Sequence, residues 1–260
     1  MMLDLLHLMI GAFSGALVGF ALGLVGGGGS ILAVPLMVYL VGVHDPHMAI
    51  GTSAFAVAAN AAIGLSNHAR AGNVLWRCGA VYAGAGVLGA FIGSTLGKAF
   101  DGQRLLFLFA LVMVVVGVLM LKRRKSQGVA NAQCTRENAP KVLGYGLGTG
   151  LFSGFFGIGG GFLIVPGLIA STEMPMLNAV GTSLVAVTAF GLTTAFNYAR
   201  SGLVDWALAA TFITGGVLGS LAGTRAAKHL SRGDGTLNTV FAVLIFVVAA
   251  YMLFKSAHAL

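Results

Sequence analysis

The chain contains one sequence unit twice, and this internal repeat is the feature that most constrains its fold. A Gly-Thr-Ser triplet at residues 51–53 recurs at residues 181–183, and the pattern Asn-x-x-Arg-x-Gly begins at both Asn67 and Asn197. A glycine-rich segment followed by Leu-x-Val-Pro precedes each triplet. Its matched positions are Gly26, Gly28, Gly29, Leu32, Val34 and Pro35 with Gly157, Gly159, Gly160, Leu163, Val165 and Pro166. The protein is therefore built from two equivalent units.

Composition indicates the solvent in which these units fold. Hydrophobic residues make up 57% of the chain and charged residues 8%, and the mean hydropathy is +0.93. A soluble domain carries about 25% charged residues, so this chain cannot cover a water-facing surface. The net charge of +8 does not indicate nucleic-acid binding, because the Lys and Arg residues lie in loops, as the positive-inside rule requires. We predict an all-α polytopic membrane protein.

Each half contains five apolar stretches, and the first two are separated only by glycines. The stretches are 5–25, 30–43, 48–67, 74–97 and 105–121, then 142–156, 161–170, 176–197, 206–223 and 237–254. A single helix over residues 5–43 would be about 58 Å long, against a hydrocarbon core of about 30 Å. The chain must therefore turn back at the glycines, as a hairpin of helices. The predicted divisions are a first transmembrane repeat (1–121), a basic cytoplasmic linker (122–141) and a second repeat (142–260).

The hairpins determine the predicted topology. A hairpin returns to its starting side, and three crossings follow it, so each half makes an odd net number of crossings and the halves are inverted. With the basic linker in the cytoplasm, eleven of the fifteen Lys and Arg residues fall on that side. If each hairpin is instead one crossing, ten Lys and Arg residues fall in the cytoplasm and five outside, so charge barely separates the two topologies. The length of the first segment decides between them. Both termini are then periplasmic.

The two glycine-rich segments are the first candidate site. We call them the first glycine break (residues 26–30) and the second glycine break (residues 157–161). Interrupted backbone at membrane depth is tolerated only where it is buried in protein or lines a cavity. The helix that starts after a break offers free N–H groups and a positive dipole end, which suit an anion. The alternative is a tight turn without a ligand. The candidates are Gly26, Gly27, Gly28, Gly29, Ser30, Gly157, Gly159, Gly160 and Gly161.

Neutral polar side chains after the breaks form a second set of candidates. Ser53, Asn60 and Asn67 are seven residues apart and lie near one helix face. Hydroxyls and amides can bind an anion without fixed charge. The alternative is hydrogen bonding between helices. The binding candidates in this set are Thr52, Ser53, Asn60, Thr182 and Ser183.

The repeated Asn-x-x-Arg-x-Gly pattern places arginines at predicted helix ends. Arg is a natural clamp for anions, so Asn67, Arg70, Asn197 and Arg200 are candidates for an entrance or gating role. Snorkelling and helix capping explain the same residues and are the favoured interpretation. Glycines repeated every fourth residue, as at Gly146, Gly150 and Gly154, predict close helix packing.

The residue types that are missing from the apolar stretches narrow the function. All acidic residues fall in loops or at helix ends, which disfavours a proton relay or a sodium site. The sequence has no nucleophile triad, zincin motif or P-loop, so neither an enzyme nor an ATP-driven pump is indicated, and no cofactor is expected. Cys78 and Cys134 have no metal-ligand spacing, and their spacing does not imply a disulfide.

These motifs resemble those of the TauE/SafE family, named for sulfite export and toluene sulfonate uptake. The glycine breaks followed by Leu-x-Val-Pro, the Gly-Thr-Ser triplets and the Asn-x-x-Arg-x-Gly segments carry the resemblance over the whole chain. It implies a multi-pass permease of the bacterial inner membrane for a small sulfur-containing anion such as sulfite, thiosulfate or a sulfoacetate-like organosulfonate. The expected partners are this anion and membrane lipid; a homodimer is compatible, and nucleic acid is not expected.

The resemblance and the repeat together predict a secondary transporter working by alternating access at the paired breaks, with export favoured. Two alternatives stay open: a channel-like facilitator for a neutral or cationic solute, and a non-transporting membrane anchor. The halves differ within the predicted site. Ser30 stands where the second half has Gly161, and Asn60 stands where the second half has Phe190. We therefore expect a site that is not symmetric.

Overall fold

The computed structural model consists of helices joined by turns, with no strand, in the residues that it describes, 5–122, 134–135, 137–159, 161–230 and 236–257. Gly160 and most of the predicted linker lie outside these ranges. The helices are α1 (Leu5–Val25), α2 (Ala33–Pro35), α3 (Pro46–Arg70), α4 (Trp76–Ala99), α5 (Gly102–Lys122), α6 (Ala139–Phe156), α7 (Gly161–Thr172), α8 (Met176–Ala199), α9 (Trp206–Leu230) and α10 (Thr236–Ala257).

Five of these helices are long and apolar enough to cross a membrane. They lie in α1, α3, α4, α8 and α9, and shorter apolar helices follow the breaks and form parts of α5 and α10. The prediction of an all-α polytopic membrane protein is thereby confirmed. Large apolar side chains such as Leu88, Phe196 and Leu218 lie exposed on the outer faces of these helices, where lipid rather than water is the compatible solvent.

Local sequence signals explain where the long helices begin and end. Asp45 caps α3, because its carboxylate accepts a hydrogen bond from the His47 N–H (2.9 Å), and Pro46 occupies the first helical position. After α3 and α8 the chain turns through Gly72 (φ +72°) and Gly202 (φ +71°), the left-handed conformation that glycine adopts without strain.

The chain turns back at both glycine breaks, and the two turns begin in the same way. Gly26 and Gly157 both have φ +68°, so each terminates its preceding helix in the left-handed conformation. The first break continues as a 3-10 helix (Gly26–Leu32), the short α2 and a π-helix (Leu36–Leu40). The second continues as α7, whose 12 residues extend only about 18 Å and cannot cross a core of about 30 Å.

Helices of each half pack directly against helices of the other half. Helix α1 lies along α9 of the second half, and α6 lies along α4 of the first half. Glycines on α1 and α6 bring backbone against backbone at Gly19–Gly216 and at Gly150–Gly86, which are equivalent pairs in the repeat. The glycine spacing therefore serves helix packing, as predicted.

The contacts also give the helix directions. Residue numbers rise together along α1 and α9, from Gly15–Phe212 to Gly23–Ser220, so these helices are parallel. Along α3 and α8 they run oppositely, because Ala58 lies at Gly191 whereas Gly64 lies at Leu184. Equivalent helices α3 and α8 are thus antiparallel, which agrees with inverted halves. The orientation of the halves in a membrane stays a prediction, as do the boundaries of the two repeats and the linker.

A disulfide joins Cys78 and Cys134, and the expectation from their spacing that no disulfide is implied was wrong. The two cysteines are 56 residues apart in sequence, with α5 and the linker between them. They meet because α4 and α6 run parallel and begin at the same end, which brings the first turn of α4 beside the segment that precedes α6. This proximity depends on helix packing, and the spacing of the cysteines contains no sign of it.

Candidate functional site

Each glycine break contacts the residue that precedes the Gly-Thr-Ser triplet of the other half. A Cβ atom built on Gly26 would lie 2.7 Å from Cγ1 of Val180, and one built on Gly157 would collide with Cγ2 of Ile50. Val180 and Ile50 are equivalent residues in the repeat. The structure therefore brings the two predicted motifs together crosswise, the break of one half beside the triplet of the other.

The glycine of each triplet allows the opposite half to approach as closely. Side chains at Gly51 and Gly181 would collide with the main chain at Leu203 and at Asn73, which lie in the turns before α9 and α4. These turns follow the Asn-x-x-Arg-x-Gly segments. Both repeated motifs are therefore part of one interface between the halves, and glycine is required there because nothing larger fits.

The triplet hydroxyls stabilise this interface. The Asp205 N–H donates to Oγ1 of Thr52 (2.9 Å), and the Leu75 N–H donates to Oγ1 of Thr182 (3.0 Å). Each threonine accepts a bond from the residue before a helix of the other half, while its own proton stays available to a ligand. The serines are less available, because Ser53 donates to the carbonyl of Ile50 (3.0 Å) and Ser183 to that of Val180 (2.7 Å).

The breaks themselves meet in the interior. The 3-10 helix of the first break, which includes Gly27, Gly28 and Gly29, packs against α7 and α8. Ser30 and Gly161 are buried. A Cβ built on Gly159 (φ +66°) would lie 3.2 Å from Cγ1 of Val57 and 3.3 Å from Cγ1 of Val187. The second break therefore rests between α3 and α8, the two helices that carry the triplets.

Asn60 lies one helical turn beyond Val57 on α3 and is the most unusual polar group in this region. It is fully buried, and neither its amide nitrogen nor its amide oxygen has a hydrogen-bond partner. Its amide lies directly against Gly216 of α9, where a Cβ would collide with it. An unpartnered buried amide costs about 1–3 kcal/mol, so a native protein that retains one calls for an explanation such as a role in ligand binding.

Ser220 was not predicted and belongs beside Asn60. It lies one turn further along α9 than Gly216 and is likewise fully buried without a partner. A Cβ built on Gly64, one turn after Asn60, would lie 3.7 Å from Oγ of Ser220. Across the α3–α9 contact, Gly216 thus faces the Asn60 amide and Gly64 faces the Ser220 hydroxyl, and neither polar group has a partner. The available sequence signal was the difference from the first half, which has Ala90 at this position.

The equivalent place in the other half is filled by an aromatic ring. Phe190 on α8 corresponds to Asn60, and its ring lies directly against Gly86 on α4, which corresponds to Gly216. Phe190 is fully buried. The predicted asymmetry of the region is therefore present in the packing: the same pocket of the fold holds a carboxamide in one half and a phenyl ring in the other.

The Asn-x-x-Arg residues lie at helix ends, as predicted. Arg70 and Arg200 are exposed, and the guanidinium of Arg200 lies 5.9 Å from the centre of the Phe196 ring. Asn67 is half-buried.

Asn197 belongs to a hydrogen-bonded clamp between α8 and α4. Its amide donates to Ser94 (2.7 Å) and Thr95 (3.0 Å), and its Oδ1 accepts from the Lys98 ammonium (2.8 Å). That ammonium also donates to the Asn197 carbonyl (3.0 Å) and to Ser201 (2.9 Å). The hydrogen bonds of Asn197 are therefore already made within the protein, which suits capping better than ligand capture.

Charge is excluded from the region around the breaks. Among the residues whose burial the structure describes, every buried polar side chain is neutral or a histidine, and no Asp, Glu, Lys or Arg is buried. Within the same residues no group of three potential metal ligands occurs. A ligand here would be held by backbone dipoles, hydroxyls and the Asn60 amide, a set that can bind an anion without a fixed positive charge.

The fold and this region define a class: multi-pass membrane proteins whose two equivalent halves meet at broken helices, as in secondary transporters. The profile of the family described as "Sulfite exporter TauE/SafE" matches residues 11–252. The chain therefore belongs to the TauE/SafE family of membrane transporters.

Individual relatives agree with this assignment. A "Probable membrane transporter protein" of Xylella fastidiosa (strain 9a5c) is 53% identical over 249 residues, covering 94% of both chains. A protein of the same description from Haemophilus influenzae is 30% identical, covering 93% of this chain and 96% of its own. YdhB of Bacillus subtilis, also described as a probable membrane transporter protein, is 28% identical and covers 80% and 86%. No solved structure matches the chain.

Proposed function

We propose that this protein is a secondary transporter that exports a small sulfur-containing anion, such as sulfite, thiosulfate or a short organosulfonate, across the bacterial inner membrane. The family description supports the class of substrate. The observation on which the proposal chiefly rests is the crossed contact of each glycine break with the other half, together with the unpartnered amide of Asn60, one helical turn beyond the Val57 that the second break approaches.

The donors in this region suit an oxyanion. The second break leads into α7, whose first N–H groups have no partner within the helix, and the positive end of the helix dipole lies there. Asn60 contributes amide protons near the middle of α3, and Thr52 and Thr182 contribute hydroxyl protons towards the two opposite ends of the antiparallel α3–α8 pair. Neutral donors in a region of low dielectric bind an anion without the desolvation penalty of a buried Lys or Arg. They also release it more readily, which transport requires.

The lack of a buried coupling group supports export as the direction of transport. No carboxylate is buried among the residues whose burial is described, so the site offers neither a proton relay nor a sodium ligand of the usual kind. The membrane potential then supplies the driving force, and it moves an anion outward with about 2.3 kcal/mol per charge per 100 mV. Export is therefore the favoured direction.

The glycine interfaces suggest how the site would open to each side in turn. Helix α1 meets α9, and α6 meets α4, through backbone contacts such as Gly19–Gly216 and Gly150–Gly86. Interfaces without interlocked side chains suit the small sliding of packed helices that underlies shear motions. We infer that the hairpins, α1 with the first break and α6 with α7, slide along α9 and α4 and so expose the site alternately.

Transport by the purified protein in liposomes tests this proposal. Liposomes are loaded in parallel with sulfite, thiosulfate or sulfoacetate, with chloride and glycerol as controls, and a potential is imposed with potassium and valinomycin. We expect efflux of a sulfur anion that accelerates when the interior is made negative. Protein-free liposomes set the baseline for each solute. Flux of glycerol or of a cation, without anion flux, would favour a channel-like facilitator and contradict the proposal.

A further inference from the structure

One of the two glycine interfaces has a covalent bond at its end. Cys78 lies in the first turn of α4, and Cys134 precedes α6; their Cα atoms are 5.3 Å apart in the disulfide. The residue equivalent to Cys78 in the second half is Leu208, on α9. The α1–α9 interface therefore cannot form the same bond, and the two otherwise equivalent interfaces differ in this respect.

The segment that carries Cys134 is attached to the start of α6. The Thr135 N–H donates to Oδ1 of Asn138 (3.0 Å), and the Ala139 N–H donates to the Thr135 carbonyl (3.1 Å), so a hydrogen-bonded turn leads directly into the helix. Through this turn the disulfide fixes the beginning of α6 to the beginning of α4. Any sliding of α6 along α4 would have to move Cys134 away from Cys78.

The predicted topology places this bond where disulfides are not usually maintained. The basic linker, and with it the beginnings of α4 and α6, is predicted to face the cytoplasm. Glutathione and thioredoxin keep cytoplasmic thiols reduced, and the disulfides found there are usually transient or redox-sensing. A permanent structural bond is therefore not the expected role of this pair.

We propose that Cys78 and Cys134 form a reversible redox lock on the α4–α6 interface. In the dithiol form α6 is free to slide along α4 and the transporter works; in the disulfide form the second hairpin is fixed and transport slows. The present structure describes the locked form. Only the effect on transport rests on the proposed function, because the redox chemistry itself does not depend on which anion is carried.

The chemistry is thiol–disulfide exchange with a low-molecular-weight thiol such as glutathione. A thiolate attacks Sγ of Cys134, the more accessible partner (8% exposed against 2% for Cys78). The Cys78–Cys134 bond breaks, and Cys78 leaves with the electron pair and takes up a proton. A second thiolate then attacks the mixed disulfide, which releases Cys134 and one molecule of oxidised glutathione. Locking is the reverse reaction, with oxidised glutathione as the oxidant.

A reversible hydrogen bond already connects the same two helices and shows why a covalent one would matter. The hydroxyls of Tyr82 on α4 and Thr149 on α6 lie 2.8 Å apart. That bond can break and reform during sliding at a modest net cost, whereas a disulfide holds until a thiol cleaves it. Oxidation therefore changes the interface from movable to fixed without altering its packing.

The first experiment determines the redox state and the side of the membrane. Right-side-out and inverted vesicles that contain the full chain are equilibrated in buffers with different ratios of reduced to oxidised glutathione. The samples are then acid-quenched, and free thiols are labelled with a maleimide of known mass. We expect the pair to pass from disulfide to dithiol within the range of cytoplasmic glutathione ratios. After reduction, an impermeant maleimide should label inverted vesicles only. The proposal would be overturned if the disulfide stayed oxidised at every one of these glutathione ratios. It would also be overturned if the thiols were labelled only from the periplasmic side.

The second experiment measures the effect of the lock on transport. Sulfoacetate is the probe, because sulfite is itself a nucleophile that cleaves disulfides. We expect oxidation to slow the parent about tenfold, the change that about 1.4 kcal/mol on the limiting barrier produces. Cys78→Ser and Cys134→Ser cannot form the disulfide, so both should transport as fast as the dithiol form of the parent in either buffer. Equal rates for the oxidised and reduced parent would overturn the lock. If the parent and both variants move no sulfur anion at all, the proposed function fails, and the labelling result alone decides the redox chemistry.

Discussion

Asn60 and Phe190 occupy equivalent positions in the two halves, and their surroundings are equivalent too. Each lies on a central helix, α3 or α8, and each packs against a glycine on a helix of the other half, Gly216 on α9 or Gly86 on α4. One side chain is a carboxamide without a hydrogen-bond partner, and the other is a phenyl ring that needs none. The scaffold is therefore repeated, whereas the unpartnered amide lies at only one of the two equivalent helix contacts.

This difference separates residues that maintain the fold from residues that can bind a ligand. Contacts that occur in both halves, such as the glycine pairs and the threonine hydrogen bonds, hold the halves together. Asn60 of the first half and Ser220 of the second lie at the α3–α9 contact only, because Phe190 and Ala90 stand at the equivalent positions of the α8–α4 contact. Substitutions of the first kind should have matching effects in the two halves, and substitutions of the second kind should not.

The largest expected effect is on the glycine interfaces. Gly19→Ala and Gly150→Ala each place a methyl group into the facing backbone of Gly216 or Gly86, and overpacking of this kind costs about 1–3 kcal/mol or more. We expect both variants to lose thermal stability in detergent by similar amounts. Gly148→Ala is the matched control on α6, because the space at that position is open. Unequal losses at Gly19 and Gly150 would contradict the equivalence of the two interfaces.

The next effect concerns the glycine breaks. Gly157→Ala and Gly72→Ala both force alanine into a left-handed conformation, at about 1–2 kcal/mol, but only Gly157 also faces a side chain, that of Ile50. We expect Gly157→Ala, and likewise Gly26→Ala, to lower the rate of anion efflux more than tenfold while folded protein still reaches the membrane. Gly72→Ala should transport nearly normally. Equal rates for Gly157→Ala and Gly72→Ala would reduce the break to a simple turn.

A smaller effect is expected at the threonines. Thr52→Val and Thr182→Val each remove the acceptor of one interhelical hydrogen bond and leave an N–H unpaired, which costs about 1–3 kcal/mol. Thermal unfolding should show similar losses for the two variants. Thr52→Ser and Thr182→Ser keep the hydroxyl and should restore most of the stability. A loss confined to one half would mean that the two hydrogen bonds are not equivalent.

The smallest effect is expected at the exposed arginines. Arg70→Gln and Arg200→Gln should slow anion capture mainly at low ionic strength, because salt screens exposed charges over about 8 Å at physiological concentration. Initial rates measured from low to high salt would show the difference disappear. If Arg200→Gln abolished equilibrium binding at every salt concentration, an arginine clamp would replace the neutral site.

The sequence repeat predicted more of the fold than of the site. The recurrence of glycines at matched positions was enough to predict the turns at both breaks and the close packing of helices, because glycine is required wherever a left-handed turn or a backbone contact occurs. The repeat did not predict which side chains pair between helices that are distant in sequence. The bond between Cys78 and Cys134 and the clamp of Lys98 on Asn197 depend on which helices lie side by side.

Of the two unpartnered polar residues at the α3–α9 contact, Asn60 and Ser220, the sequence predicted only Asn60, for a related reason. Asn60 is recognisable because an amide in the middle of an apolar helix is unusual. Ser220 is not, since a serine in a glycine-rich helix is common in packed interfaces. Only the packing of α3 on α9 shows that both lack partners. The repeat nevertheless contained a usable signal, because both residues differ in type from their equivalents, Phe190 and Ala90.

The most direct test of the account is the effect of Asn60→Leu on binding and on stability, measured on the same purified protein, with Phe190→Leu as control. If Asn60 is kept for the anion, its removal weakens binding of a sulfur anion about five- to 150-fold, the equivalent of about 1–3 kcal/mol. The same change leaves the melting temperature unchanged or raises it, because a buried amide without partners is lost. Phe190→Leu should lower stability and leave affinity nearly unchanged. Lower stability with unaltered affinity in Asn60→Leu would contradict the account and make Asn60 a structural residue.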